Sequence, residues 1–192
     1  MSDFAKCITH TLQYEGVSES SPGLVDHPAD KGGITKYGIS YEFVKNTGNT
    51  NLFDMDFDGK LTKTDIRKLT FDAAIEAYKL YFWDYYFLDE FEDNRKAFLV
   101  FDASVNHGYK TATKLIQRAL ISAGYQLAID GIWGPKTKAS LVDCPVEDFI
   151  KYFQEKRRAL YKAIVKNNPS QSVFLKGWLR RVDMTDRDLN YV

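Results

Sequence analysis

Asp54, Asp56, Asp58 and Asp65 stand at positions 1, 3, 5 and 12 of a twelve-residue stretch that also holds Gly59 at position 6 and Leu61 at position 8. Closely spaced carboxylates repel one another unless a hard cation gathers their oxygens, and a glycine at the sixth position lets the chain turn sharply beneath that cation. The pattern predicts a calcium loop. Its expected ligands are the side chains of Asp54, Asp56 and Asp58, the backbone carbonyl of Lys60, Thr62 directly or through a water, and Asp65. Asp65 replaces the usual Glu, and its shorter arm makes position 12 the weakest part of the sphere. A solvated acidic turn is the alternative, since Asp and Gly are ordinary turn formers. The loop occurs once, which favours a staple over a paired sensor.

A second carboxylate with chemical promise is Glu15. Extending the apolar series Phe4, Ile8, Leu12 by three residues puts it on the buried face of a helix and in its last turn. Both burial and the negative end of the helix dipole would raise its pKa, as a general acid requires. A frayed helix end with Glu15 in water is the competing reading. Glycosidic cleavage commonly needs a second carboxylate across the bond, and Asp26 and Asp30 are the nearest candidates. Asp30 precedes Gly32, Gly33 and Thr35, whose hydroxyl could hold a water. Either aspartate could equally shape a turn.

These residues need helices to hold them. Ser2 or Asp3 can cap a helix running to Glu15, which Gly16 stops. The span 16–40 carries Pro22, Gly23, Pro28, Gly32, Gly33 and Gly38 and reads as loop with a short hairpin. A short helix from Tyr41 enters the acidic loop and Thr62 to Leu69 leaves it, an EF-hand-like or dockerin-like helix-loop-helix. Further helices are predicted over 72–83, a segment containing Ala97 to Val105 and ended by Gly108, 111–123, a short one from Lys136, 146–166 and 173–182. Strand signals are scarce, so the fold class is mainly α.

With 192 residues and 44% hydrophobic content the chain can build a proper core. Its 26 basic and 26 acidic side chains cancel, so no global field favours nucleic acid or an anionic membrane. Locally, Lys156, Arg157, Arg158, Lys162, Lys166, Lys176 and Arg180 meet little acid; they form either a solvated helix face or an attractor for an anionic polymer. Cys7 and Cys144 allow at most one disulfide and read as free, partly buried thiols. No signal peptide or membrane-spanning run is apparent, so synthesis in a cytoplasm is expected. His10, His27, His107 and Cys7 lack the spacing of a zinc peptidase, and neither a serine-hydrolase elbow nor a phosphate loop occurs.

Glu15-Gly16, followed by the run from His27 through Asp30, Gly32, Gly33, Thr35, Tyr37 and Gly38 to Ser40, resembles glycoside hydrolase family 108, lysozymes of phages and bacteria. The segments Phe101 to Gly108, Ile116 to Leu120, Asp130 to Thr137 and Phe174 to Trp178 resemble that family's continuation and a peptidoglycan-binding segment. The resemblance implies Glu15 as catalytic acid and, by analogy with phage-type lysozymes, Asp30 and Thr35 in the other catalytic roles. Val17 replaces the usual second glycine. Tyr37 is expected at the substrate. Asn106 either bonds a sugar or caps its helix, His107 faces the same choice, and Trp133 and Trp178 either stack on sugars or fill the core.

The implied fold is a lysozyme-like helical domain with an irregular β-hairpin near the active site. Its expected parts are a catalytic region at 1–92 with the calcium loop 54–65, and a peptidoglycan-binding-like region at 93–192. The implied activity is cleavage of peptidoglycan between N-acetylmuramic acid and N-acetylglucosamine by a monomeric phage endolysin. A holin would release it from the host cytoplasm to the wall, without membrane insertion or nucleic-acid binding. A secreted effector, a lytic transglycosylase and a non-catalytic calcium-stabilised wall-binding module are the alternatives.

Overall fold

A computed structural model describes residues 2–26 and 33–192 and is mainly helical. In chain order the elements are α1 (Phe4–Glu15), β1 (Thr35–Lys36), β2 (Ile39–Ser40), α2 (Tyr41–Thr47), α3 (Thr50–Phe53), α4 (Lys63–Lys68) and α5 (Phe71–Tyr78). After a π-helical turn at Lys79–Trp83 come α6 (Asn94–His107), α7 (Tyr109–Ser122), α8 (Pro135–Asp143), α9 (Val146–Asn167) and α10 (Ser172–Asp188). The expected helices are present; α10 runs beyond the anticipated 182, and the helix expected over 72–83 changes to π geometry at Lys79.

Two compact units partition the chain: Ile8–Tyr81, and Phe82–Val192 together with the start of α1 through Cys7. The first is built of short elements. β1 and β2 form an antiparallel hairpin pairing Thr35 with Ser40 and Lys36 with Ile39. Ser40 then caps α2 by accepting from the Phe43 N–H, and Asn49 caps α3 through Leu52. Ile34, Ile39, Val44, Phe53, Ile66 and Leu69 fill the interior. At Gly38 (φ +76°) a Cβ would collide with the Tyr78 hydroxyl, which donates to the Tyr37 carbonyl at 3.1 Å. The tight turn between the two strands therefore needs glycine there.

The second unit is a helical assembly in which α6 packs on α7 and α9, and α9 packs on α7 and α10. Nine successive residues of α6, Lys96 to Ser104, are buried. A helix enclosed on all sides must pair any charge it carries. Asp102 meets Arg157 at 2.8 Å and Arg181 at 2.8 Å, with Asp102 and Arg157 fully buried. Lys96 points its ammonium at the carbonyls of Leu141, Val142 and Cys144, satisfying the end of α8. The start of α1 is pinned here as well, since Ser2 donates to the Phe91 carbonyl and Phe4 packs edge-on against Trp83 and Phe101. Cys7 and Cys144 are free and buried, and burial pushes the Cys7 thiol pKa up to about 12.

Candidate active site

Glu15 is the final residue of α1, and the turn that follows is built to stop a helix there. The Gly16 N–H donates to the Gln13 carbonyl and the Val17 N–H to the Leu12 carbonyl. Gly16 has φ +69°. These two bonds around a left-handed glycine form a Schellman motif, which favours an apolar residue after the glycine. Val17 is that residue and is buried, as is Leu12. A valine in place of a second glycine is thus accommodated, because φ at position 17 is not positive.

The expectation that Glu15 lies on the apolar face is corrected: its side chain is exposed, while Ile8, Thr11 and Leu12 are buried. The chain leaves the helix axis at Gly16, so no further turn covers the last residue. Glu15 therefore ends α1 with an exposed side chain, directly before the turn at Gly16.

The described residues of the segment 16–40 are organised by backbone pairing. Ser18 and Ser21 exchange N–H···O bonds, Val25 pairs with Thr35 at 2.9 and 2.8 Å, and the Tyr37 N–H donates to the Pro22 carbonyl at 2.7 Å. Thr35 is half-buried at the start of β1. Asp30 and His27 lie outside the described residues. Asp26, the other carboxylate considered beside Glu15, pairs with Arg67 of α4 at 2.6 Å. Lys36, next to Thr35, donates to the Arg67 carbonyl at 2.8 Å. One residue of α4 therefore ties down both sides of the Thr35 strand.

Tyr37 does not present its ring to solvent as a sugar contact would require. It is buried at 7% exposure, with its ring edge-on to Phe71. Its left-handed backbone (φ +51°) and the bonds to Pro22 and Tyr78 make it a structural pivot of the hairpin turn.

In the helical unit, the Asn106 amide oxygen accepts from the Tyr161 hydroxyl at 2.6 Å, and His107 lies against the same tyrosine at a ring separation of 5.3 Å. His107 is partly buried, and burial, with Arg157 as the next cause, lowers its pKa to about 4. Sequence reading missed the reason. Asp102 and Asn106 are one turn apart on α6, Arg157 and Tyr161 one turn apart on α9, and the rows pair rung by rung. The matching i, i+4 spacing was the available signal. Trp178 stacks on Tyr161, and Trp133 meets Tyr86 edge-on.

At the acidic loop, Asp54, Asp56 and Asp58 each offer an oxygen, all within 4.8 Å of one another. Gly59 turns the chain at φ +79°. Asp54 accepts from the N–H groups of Asp58 and Gly59, and Asp58 from that of Lys60. One oxygen of Asp56, Oδ1, is buried without a hydrogen-bond partner. Asp65 stands apart from this group. It is fully buried, and its oxygens accept from the N–H groups of Met55 and Thr62 and from the Thr62 hydroxyl, closing a capping box on α4. Burial opposes its ionisation, yet these donors outweigh burial and hold its pKa below the usual carboxylate value. The short aspartate arm reaches the helix N-terminus and not the three other carboxylates, so the residues fit a cation at positions 1, 3 and 5 better than at position 12.

Residues 8–108 match the family described as Glycosyl hydrolase 108, and residues 111–183 match one described as Predicted Peptidoglycan domain. The structure of Brucella abortus SagA is similar over nearly the whole length, with a TM-score of 0.69 and 25% identity, covering 98% of this chain and 94% of that one. No curated protein matches. The chain belongs to glycosyl hydrolase family 108, as a lysozyme-like peptidoglycan hydrolase followed by a peptidoglycan domain.

Proposed function

We propose that the enzyme is a muramidase, hydrolysing the bond between N-acetylmuramic acid and N-acetylglucosamine, with Glu15 as the proton donor. The observation that carries this reading is the Schellman turn, which ends α1 at Glu15 and leaves its side chain exposed directly before the segment that carries Thr35. Glu15 delivers its proton to the leaving glycosidic oxygen. Asp30, with Thr35, positions or activates the attacking water, the division of labour an inverting enzyme uses. Asn106, whose amide oxygen accepts from the Tyr161 hydroxyl, and His107 remain the proposed sugar contacts of the helical unit.

Glu15→Gln keeps the shape of the side chain and removes the transferable proton. Digestion of purified peptidoglycan is expected to slow by about 10²–10⁴-fold. Reducing ends on muramic acid in the wild-type products identify hydrolysis; anhydro sugar ends would assign a transglycosylase instead, and full activity of the variant would remove Glu15 from the chemistry.

Loop 54–65 is proposed to hold one calcium ion through Asp54, Asp56, Asp58 and the Lys60 carbonyl. The convergence of three carboxylates and the unpartnered Asp56 oxygen support this. The ion would neutralise the clustered charge. Thr62 and Asp65 would secure α4, whose Arg67 holds the Thr35 strand. For delivery, we propose a monomeric phage endolysin released through a holin to the wall.

A further inference from the structure

From Lys156 to Val182 the chain contains no acidic residue, although the whole protein is neutral. The basic residues of this stretch have separate fates. Arg157 and Arg181 close on Asp102, and Arg158 pairs with Asp183 and Asp186. Lys162, Lys166, Lys176 and Arg180 are exposed and have no ion-pair partner among the described residues. α9 and α10 are packed against each other and joined by a 3₁₀ turn at Pro169–Gln171, which places all four towards the same end of the helix pair. Lys162 and Lys166 lie one turn apart in the final part of α9, Lys176 and Arg180 one turn apart in the first part of α10.

The same end of the helix pair carries apolar side chains that the fold does not cover. Val173 is 76% exposed and Phe174 53% exposed, both in the first turn of α10. Phe174 is not loose: its ring stacks on Trp178, which stacks on Tyr161. A soluble polyanion would need only the charges. Exposed cations at the same end of the helix pair as an exposed valine and a stacked aromatic suit a surface that is anionic outside and hydrocarbon beneath.

We propose that the tip of the α9–α10 hairpin docks on an anionic phospholipid bilayer. Val173 and Phe174 enter the headgroup boundary, and Lys162, Lys166, Lys176 and Arg180 lie against the phosphates. The contact is peripheral, since no described helix can span a bilayer.

Co-sedimentation of the full chain with vesicles of phosphatidylglycerol and phosphatidylcholine, against pure phosphatidylcholine, tests this. Binding is expected only to the anionic vesicles and falls as salt rises. Lys162→Gln with Lys166→Gln lowers the partition coefficient about 30-fold, roughly fivefold per charge. Val173→Ser with Phe174→Ser also lowers it by at least tenfold, while circular dichroism and Tm show both variants folded. The same variants are sedimented with purified peptidoglycan. No binding to anionic vesicles overturns the proposal. So does loss with the lysine variant but none with the apolar one, or a loss on peptidoglycan equal to that on vesicles, either of which would assign the surface to a wall polymer.

Discussion

The unit Ile8–Tyr81 and the helical unit of Phe82–Val192 are held together by different means. In the helical unit long helices bury charged side chains and satisfy them with one another, as Asp102 does with Arg157 and Arg181, or with carbonyls, as Lys96 does at the end of α8. In Ile8–Tyr81 the helices are short, and order comes from caps, turn glycines and backbone bonds across loop 16–40. The proposed acid, its helper threonine and the proposed calcium ligands all belong to this second kind of structure. A loop can expose a carboxyl group or converge three aspartates where a packed helix face would bury them, and it pays with weaker intrinsic order.

The contrast breaks most visibly at Asp102. Asp102→Ala leaves Arg157 charged and fully buried without its partner, a loss of about 3–5 kcal/mol. Tm of the helical unit is expected to drop by roughly 10 °C. Trp83, Trp133 and Trp178, the three tryptophans of the chain, all lie in that unit, so tryptophan fluorescence follows it alone. A fluorescence transition unmoved by Asp102→Ala would mean that the buried network contributes little to holding these helices.

Calcium should act on the other unit. At a concentration a hundred times its dissociation constant, an ion bound only by the folded loop adds about 3 kcal/mol. Chelation is expected to lower the transition of Ile8–Tyr81, read by calorimetry, with a smaller change in the tryptophan signal. Loss of cleavage with no change in either transition would make the ion part of the chemistry and refute the staple.

A pH effect belongs to the helical unit. Folding lowers the His107 pKa from 6.5 to about 4, so the unfolded chain takes up a proton at this site that the folded one refuses. The stabilisation is complete above pH 6.5 and disappears as pH falls towards 4. Allowing for the ring's partial exposure, it is on the order of 2 kcal/mol. His107→Gln should flatten this part of the profile of Tm against pH; an unchanged profile would assign the slope to other groups.

The helices could be read in the sequence because their apolar periodicity and stop glycines are local, and α1 with Gly16 was legible almost to the residue. Long-range pairing was not. Arg157 counted as one more basic residue in a charged stretch, because nothing near it reveals that Asp102, 55 positions earlier, faces it across two helices. Glu15 was expected on the apolar face and is exposed, since periodicity alone does not say where the chain turns away from a helix and ends the covered stripe. The spacing of the acidic loop showed three converging aspartates, whereas the role of Asp65 depended on arm length and on Thr62 three residues before it.

Thr62 offers the finest test of that difference. As a cap, its hydroxyl accepts from the Thr64 N–H and donates to Asp65, and Thr62→Ala should cost about 1 kcal/mol. A cap acts on α4 alone, so the cost is the same with calcium and with chelator. A ligand acts through the ion, so the variant would also weaken calcium affinity and its cost would grow as calcium is added. Equal shifts in the two conditions, measured by calorimetry on the transition of Ile8–Tyr81, would keep Thr62 and Asp65 with the helix and leave the cation to Asp54, Asp56, Asp58 and the Lys60 carbonyl. Unequal shifts would restore the full set of positions to the metal and make the capping box a feature of the ion-free loop, with α4, and through Arg67 the Thr35 strand, set directly by the bound ion.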